Sequence, residues 1–120
     1  MDKNSMARAK RERAAKLRLG SENPYCATCG NSDWECLEAH HLGQQAFDGT
    51  TVIICRNHHR ILSDRQKDHP GKIDTPPTFD ESLAHFLLGM ADLFELLVRK
   101  LHEFAEKILS RVQTTTEAGK

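Results

Sequence analysis

Between Leu83 and Ile108 the apolar side chains recur at steps that alternate four and three: Leu83, Leu87, Met90, Phe94, Leu97, Leu101, Phe104 and Ile108. That spacing holds one helical face apolar for nearly four heptads. Phe86, Leu93 and Val98 widen the stripe. Thr78 and Glu81 stand three apart just ahead of it, the arrangement of a capping box. A long amphipathic helix is therefore predicted over 78–113, followed by a disordered tail at 114–120. Such a helix is about 50 Å long at 1.5 Å per residue.

A second pattern precedes it. ECLEAHH, at 35–41, alternates apolar and polar positions as a half-buried strand does. TVIIC, at 51–55, is β-branched and apolar, a second strand. Gly43 to Gly49 reads as the loop between them. Residues 21–35 are rich in turn formers, with Asn23-Pro24 and Gly30-Asn31 as punctuation, and Tyr25 and Trp34 are set to cover the hairpin or a metal knuckle beside it, with stacking on bases as the alternative. Residues 1–20 favour helix through six alanine and leucine positions, and Gly20 is a C′ stop. Pro70-Gly71 and Pro76-Pro77 make 70–77 a linker. The sequence thus divides into a basic N-terminal helix (1–20), a small module (21–69), a linker (70–77), the long helix and its tail.

Composition changes this picture in two places. The 120 residues balance 17 basic against 17 acidic side chains, so no overall field points to nucleic acid. Yet residues 1–20 carry Lys3, Arg8, Lys10, Arg11, Arg13, Lys16 and Arg18 against only Asp2 and Glu12. Such an arm can lie along phosphates, with Arg11 and Arg13 as contacts, or can be a solvated helix face. The second place is the module itself, which is too small to stand on apolar burial alone. No apolar leader and no 18-residue apolar run is present, so membrane insertion and export are not expected and a cytoplasmic location is.

All four cysteines and four of the seven histidines fall between Cys26 and His59. Cys26 and Cys29 form one pair with two intervening residues, and Cys55 and His58 another. Two such pairs aim four soft donors at one ion and close a tetrahedral structural zinc site. Paired metal spacing also points to a reducing compartment rather than a disulfide framework. Cys36 competes with His58 for the fourth position, although it has no partner at that spacing. His40, His41 and His59 remain over. Adjacent histidines on a strand face opposite sides, so His40 and His41 cannot serve the same purpose.

CxxC, then LEAHH, then CxxHH followed by RILSDRQ resembles the small stand-alone HNH, or ββα-metal, endonucleases, over roughly residues 24 to 70. The resemblance implies an α+β fold: a ββα-metal, treble-clef-like module in which zinc staples a hairpin and a helix runs from about Arg56 to Gln66. It also implies a second, catalytic divalent ion. His40 matches the family's first ligand position and His59 its closing ligand, while His41 matches the general base. The family asparagine falls on or near Thr50, and AFDGTT contains none, so Thr50 or Asp48 substitutes or the role is absent. Asn57 sits inside the knuckle. Arg56, Arg60 and Arg65 on the helix would meet phosphate.

The function expected is metal-dependent hydrolysis of DNA phosphodiesters, with magnesium, manganese, nickel or zinc on His40 and His59. The alternative is a zinc-dependent module that binds DNA or protein without cutting. The long helix needs a partner for its stripe, and a homodimer is favoured because the N-terminal helix offers little apolar surface in return. His85 and His102 on that helix are expected at the surface.

Overall fold

The computed structural model describes residues 2–71 and 75–118, the side chains of 114–118 excepted. It is an α+β chain with three helices and one two-stranded antiparallel hairpin. Helix α1 covers Lys3–Leu19, strand β1 Leu37–His41, strand β2 Thr51–Cys55, helix α2 Arg56–Gln66 and helix α3 Phe79–Ala118. A single 3-10 turn, Trp34–Cys36, leads into β1 and shortens the strand expected from Glu35.

Each helix starts and stops for a legible reason. The Asp2 carboxylate accepts the Ser5 N–H at 2.8 Å and caps α1. Gly20, at φ 76°, ends it in the left-handed conformation with its N–H on the Lys16 and Leu17 carbonyls. At α3 the capping box closes both ways: Glu81 N–H donates to Thr78 Oγ1 at 3.2 Å, and Thr78 N–H to Glu81 Oε1 at 3.2 Å. Helix α3 then continues to Ala118, into the stretch expected to be a tail. Gly119 and Lys120, and Lys72 to Asp74 of the linker, lie outside the described residues.

The strands pair in a register that sets Leu37 opposite Cys55 and His41 opposite Thr51. Helix α2 leaves β2 without a linker, because Cys55 is both the last strand residue and the N-cap. Ile54, Leu62 and Leu96, one each from β2, α2 and α3, are the largest fully buried side chains. Cys26, Leu37, Leu42, Cys55 and Leu93 complete the core around them. A core this small leaves stability dependent on other ties.

Helix α3 seats on the hairpin through a face that overlaps its heptad stripe along one edge, at Phe86, Met90, Leu93 and Leu97. His85, Gly89, Asp92, Leu93 and Leu96 are the buried positions, whereas Leu87, Phe94, Leu101 and Ile108 of the stripe stay exposed. His85, expected at the surface, is instead buried and stacks on Phe47, ring centroids 3.6 Å apart at 11°. His102 is exposed as expected. Gly89 makes the seat possible: a Cβ there would stand 1.6 Å from the Leu42 carbonyl oxygen. Gly43 faces the same crossing, where a Cβ would lie 2.9 Å from the Phe86 nitrogen. Arg65 ties α2 to α3 through the Asp92 carbonyl at 3.2 Å, and His69 Nε2 meets Asp92 Oδ2 at 2.7 Å. No helix among the described residues is long and apolar enough to cross a membrane.

Candidate metal centre and the histidines beside it

The knuckle at Cys26 is a tight turn pinned to the hairpin. Gly30 N–H donates to the Cys26 carbonyl at 2.9 Å, with Gly30 at φ 76°, and Cys26 N–H donates to Asn31 O at 2.8 Å. Ala27 N–H reaches the Ile53 carbonyl at 2.9 Å, which hangs the turn on the side of β2. The result brings Cys26 and Cys29 to the junction of β2 and α2, where Cys55 and His58 wait one helical turn apart.

These four residues present their donor atoms within 4.8 Å of one another. His58 Nδ1 is 3.0 Å from Cys55 Sγ and 3.7 Å from Cys26 Sγ, and Cys29 Sγ is 3.9 Å from Cys55 Sγ. Three sulfurs and one imidazole nitrogen gathered around a common point can hold one metal ion, and the donor set suits a closed tetrahedral site. Cys36 is not in the group; its thiol points to Asp33 Oδ2 at 3.7 Å. That answers the competition for the fourth position in favour of His58. Burial, with Lys100 and Arg99 of α3 nearby, lowers the His58 pKa and favours the neutral ring that a metal requires. Around Cys26 burial disfavours the thiolate, but backbone hydrogen bonds at Cys55, Cys29 and Thr28 outweigh it and bring the thiol below its usual range.

The second set of histidines gathers only in part. His40, on β1, and His59, on α2, come together edge to face, ring centroids 5.1 Å apart at 71°. His40 is 2% exposed, and burial, reinforced by repulsion from His59 and His41, pushes its pKa down to about 4. It is therefore a neutral imidazole near pH 7. His59 is half-buried, with Nδ1 2.6 Å from Glu38 Oε2. A carboxylate at Nδ1 fixes the orientation of the ring. Arg56 Nε donates to the other Glu38 oxygen at 3.2 Å. The hydrogen bond from His59, then that from Arg56, hold the Glu38 carboxyl below its usual range.

Glu38 and Gln66 are site residues that motif reasoning overlooked. Glu38 lies two before His40 on a strand, hence on the same face. Gln66 lies seven after His59, two turns along the same side of α2. Its Nε2 donates to the carbonyls of His41 at 2.7 Å and Leu42 at 3.3 Å and comes within 3.4 Å of His40 Nε2. It thereby locks the end of β1, and both histidines on it, to the helix. Among the described residues, however, Cys26, Cys29, Cys55 and His58 are the only group of three or more metal-type donors drawn this close together.

The remaining expected positions divide. His41 closes the hairpin opposite Thr51 and is partly exposed. Thr50 is exposed at the hairpin mouth; its hydroxyl donates to Asp48 Oδ1 at 3.1 Å and its carbonyl accepts the Leu42 N–H at 3.1 Å. Thr50 and Asp48 thus form one unit rather than two alternatives. Arg56 and Arg60 line an open depression of about 530 Å³ with Glu38, His59, Ser63, Asp64 and Lys67. Arg65 does not reach it, being drawn to Asp92 and to Glu95 at 3.4 Å on α3. Arg11 and Arg13 are exposed on α1, which meets the module through Leu19, packed against the core, and through Arg8 on Glu35 at 2.6 Å. Comparison with protein-family models, curated proteins and solved structures finds no match to this chain.

Proposed function

We propose that this chain is a metal-dependent endonuclease acting on DNA, built as a zinc-stapled, treble-clef-like ββα module. In this reading Cys26, Cys29, Cys55 and His58 hold the structural zinc. His40 and His59 hold a second divalent ion, and His41 is the general base. The observation that carries it is the approach of His40 and His59 to 5.1 Å, across strand and helix, with the far nitrogen of His59 already held by Glu38. A purely structural knuckle has no use for that arrangement.

An ion on two imidazoles would supply Lewis acidity at the scissile phosphate and at the departing oxygen. Imidazole ligands incline such a site to nickel or zinc over magnesium. The chain's own residues do the rest. Burial keeps His40 unprotonated and so able to donate its lone pair. Glu38 fixes the His59 ring, and Gln66 fixes the strand end that carries His41. Arg56, Arg60 and Lys67 border the depression over His59 and give a phosphate backbone its counter-charge. His41 takes a proton from the attacking water. Thr50, paired with Asp48 at the hairpin mouth just before Thr51, would take the role of the family's asparagine. Arg11 and Arg13 extend the contact along the DNA.

Two observations favour the non-catalytic reading, a binding module for DNA or protein: among the described residues no third donor joins His40 and His59, and His40 is almost wholly enclosed. Nicking of supercoiled plasmid separates the two. Zinc-loaded protein is incubated with added Mg, Mn, Ni or Zn, beside His41→Ala at matched zinc content. Cleavage in the wild type that falls at least about a hundredfold in the variant is expected of a general base. Undiminished cleavage by the variant removes His41 from that role, and plasmid retardation without cleavage under every ion establishes the binding module.

A further inference from the structure

Seating α3 on the hairpin uses His85, Gly89, Asp92 and Leu96, and partly covers Met90 and Leu97 of the expected heptad stripe. Six stripe residues stay exposed, and with their exposed neighbours three of them, Phe94, Leu101 and Ile108, form a seam rotated away from the module. It runs through Ala91, Phe94, Val98, Leu101, Ala105 and Ile108, again in steps of three and four. Its larger members, Phe94, Val98, Leu101 and Ile108, are between 52% and 68% exposed. Large and small residues alternate along it: Ala91, Val98 and Ala105 occupy one heptad position, Phe94, Leu101 and Ile108 the other.

We infer that two copies of this chain pair through this seam as an antiparallel two-helix coiled coil, with the two-fold axis between Arg99 and Lys100. In that register Ala91 faces Ile108 of the second copy, Phe94 faces Ala105, and Val98 faces Leu101. Every layer then combines one small and one large residue, which fills a close-packed interface evenly. Parallel pairing would stack Phe94 on Phe94 and Ala105 on Ala105, alternately crowded and hollow. The flanks agree with the antiparallel choice: Leu88 meets Leu109, Leu97 meets Phe104, and Glu95 meets His102.

Charge agrees as well. Residues 79–98 carry Asp80, Glu81, Asp92 and Glu95 and no lysine or arginine. Residues 99–113 carry Arg99, Lys100, Lys107 and Arg111 against Glu103 and Glu106. Asp92 is turned to its own module and His69. Within the paired span of the first half Glu95 is therefore the exposed acid, and antiparallel pairing sets it against the half of the other helix that carries Arg99, Lys100, Lys107 and Arg111, the self-complementarity that an isologous interface requires. The module occupies the opposite side of α3, so both copies keep theirs in place. Nothing in this pairing depends on the chemistry proposed for the histidines.

Sedimentation velocity on the metal-loaded full chain is the first test. A dimer is expected, and a monomer across the concentration range would overturn the inference and leave the seam to a different protein. Orientation is read by cysteine cross-linking in a Cys36→Ser background. The double variant Ala91→Cys/Ile108→Cys should give disulfide-linked dimers and neither single variant should; cross-linking of either single variant would mean parallel helices and refute the proposal. Phe94→Ala and Ala105→Phe, both at exposed positions that leave the monomer fold intact, should each weaken dimerisation at least about tenfold. Combining the two exchanges large for small across the same layer and should restore it. A combined variant no tighter than the single ones would rule out this register.

Discussion

Gly89→Ala is the substitution for which the fold makes its most exacting prediction. Helix propensity alone favours alanine by about 1 kcal/mol inside a helix. Here the added methyl would fall 1.6 Å from the Leu42 carbonyl oxygen, 2.3 Å from its carbon and 3.0 Å from its Cα. All three are backbone atoms, held by the Gln66 amide and by the Leu42 N–H on Thr50, so none can swing aside as a side-chain tip would. Relief requires α3 to lift from the hairpin by roughly 2 Å, the difference between that separation and an ordinary contact. Leu93 and Leu96, 6% and 0% exposed, would lose their packing with it. Overpacking costs about 1–3 kcal/mol, and unseating two leucines adds a share of the roughly 1.5–3 kcal/mol that burying each is worth. After the propensity gain, a net loss of at least about 2 kcal/mol follows. Urea unfolding followed by helical circular dichroism, at one protein and one zinc concentration, reads it directly. Gly49→Ala, where nothing lies within 4 Å of the added carbon, should stay within about 0.5 kcal/mol of the parent. A Gly89→Ala protein as stable as the wild type, or more so, would show that propensity wins and that α3 is not seated on Leu42.

Other predictions concern the ions and the buried imidazole. Chelation should unfold the module cooperatively, since structural zinc in small domains contributes about 10–16 kcal/mol, as much as a whole domain's stability. His58→Ala should lose the structural ion in native mass spectrometry, whereas Cys36→Ser should keep it. His40 has a folded pKa near 4 against 6.5 unfolded, so folding favours its neutral form. Its contribution is complete above about pH 6.5 and erodes as pH falls towards 4, by about 3 kcal/mol in all. Nitrogen-detected NMR should therefore find His40 unprotonated at pH 5, and a protonated ring at that pH would contradict its enclosure. Glu38→Gln should lower metal-dependent cleavage about 10- to 100-fold, the usual cost of losing a carboxylate behind a ligating histidine.

The hairpin and both knuckle pairs could be read directly from residue order, because paired soft donors and β-branched alternation are local signals, whereas the start of α2 near Arg56 came from the family resemblance. The capping box at Thr78 and Glu81 was legible for the same reason. What stayed hidden depends on three-dimensional approach. Gly89 is an unremarked helix position until Leu42 comes within reach of it. His85 and Asp92 lie on a polar-looking face, and only the Phe47 ring and the His69 imidazole make that face an interior one. The stripe was seen as apolar, with Leu93 on its flank, but Leu96, off the expected line, is the leucine of α3 that the module buries completely. Glu38 looked like one more outward position of an alternating strand; its pairing with His59 needs the helix to fold back over that face. Arg65 shows the reverse case, a cation on the expected helix drawn away from the depression by α3.

The central claim is that this small module holds two ions by two separate donor sets. Native mass spectrometry of zinc-loaded protein titrated with nickel or manganese counts them. The account predicts one tightly held zinc and one further, exchangeable ion per chain, with His59→Ala abolishing the second and leaving the first. Saturation at a single ion, or a second ion that persists undiminished in His59→Ala, would contradict it.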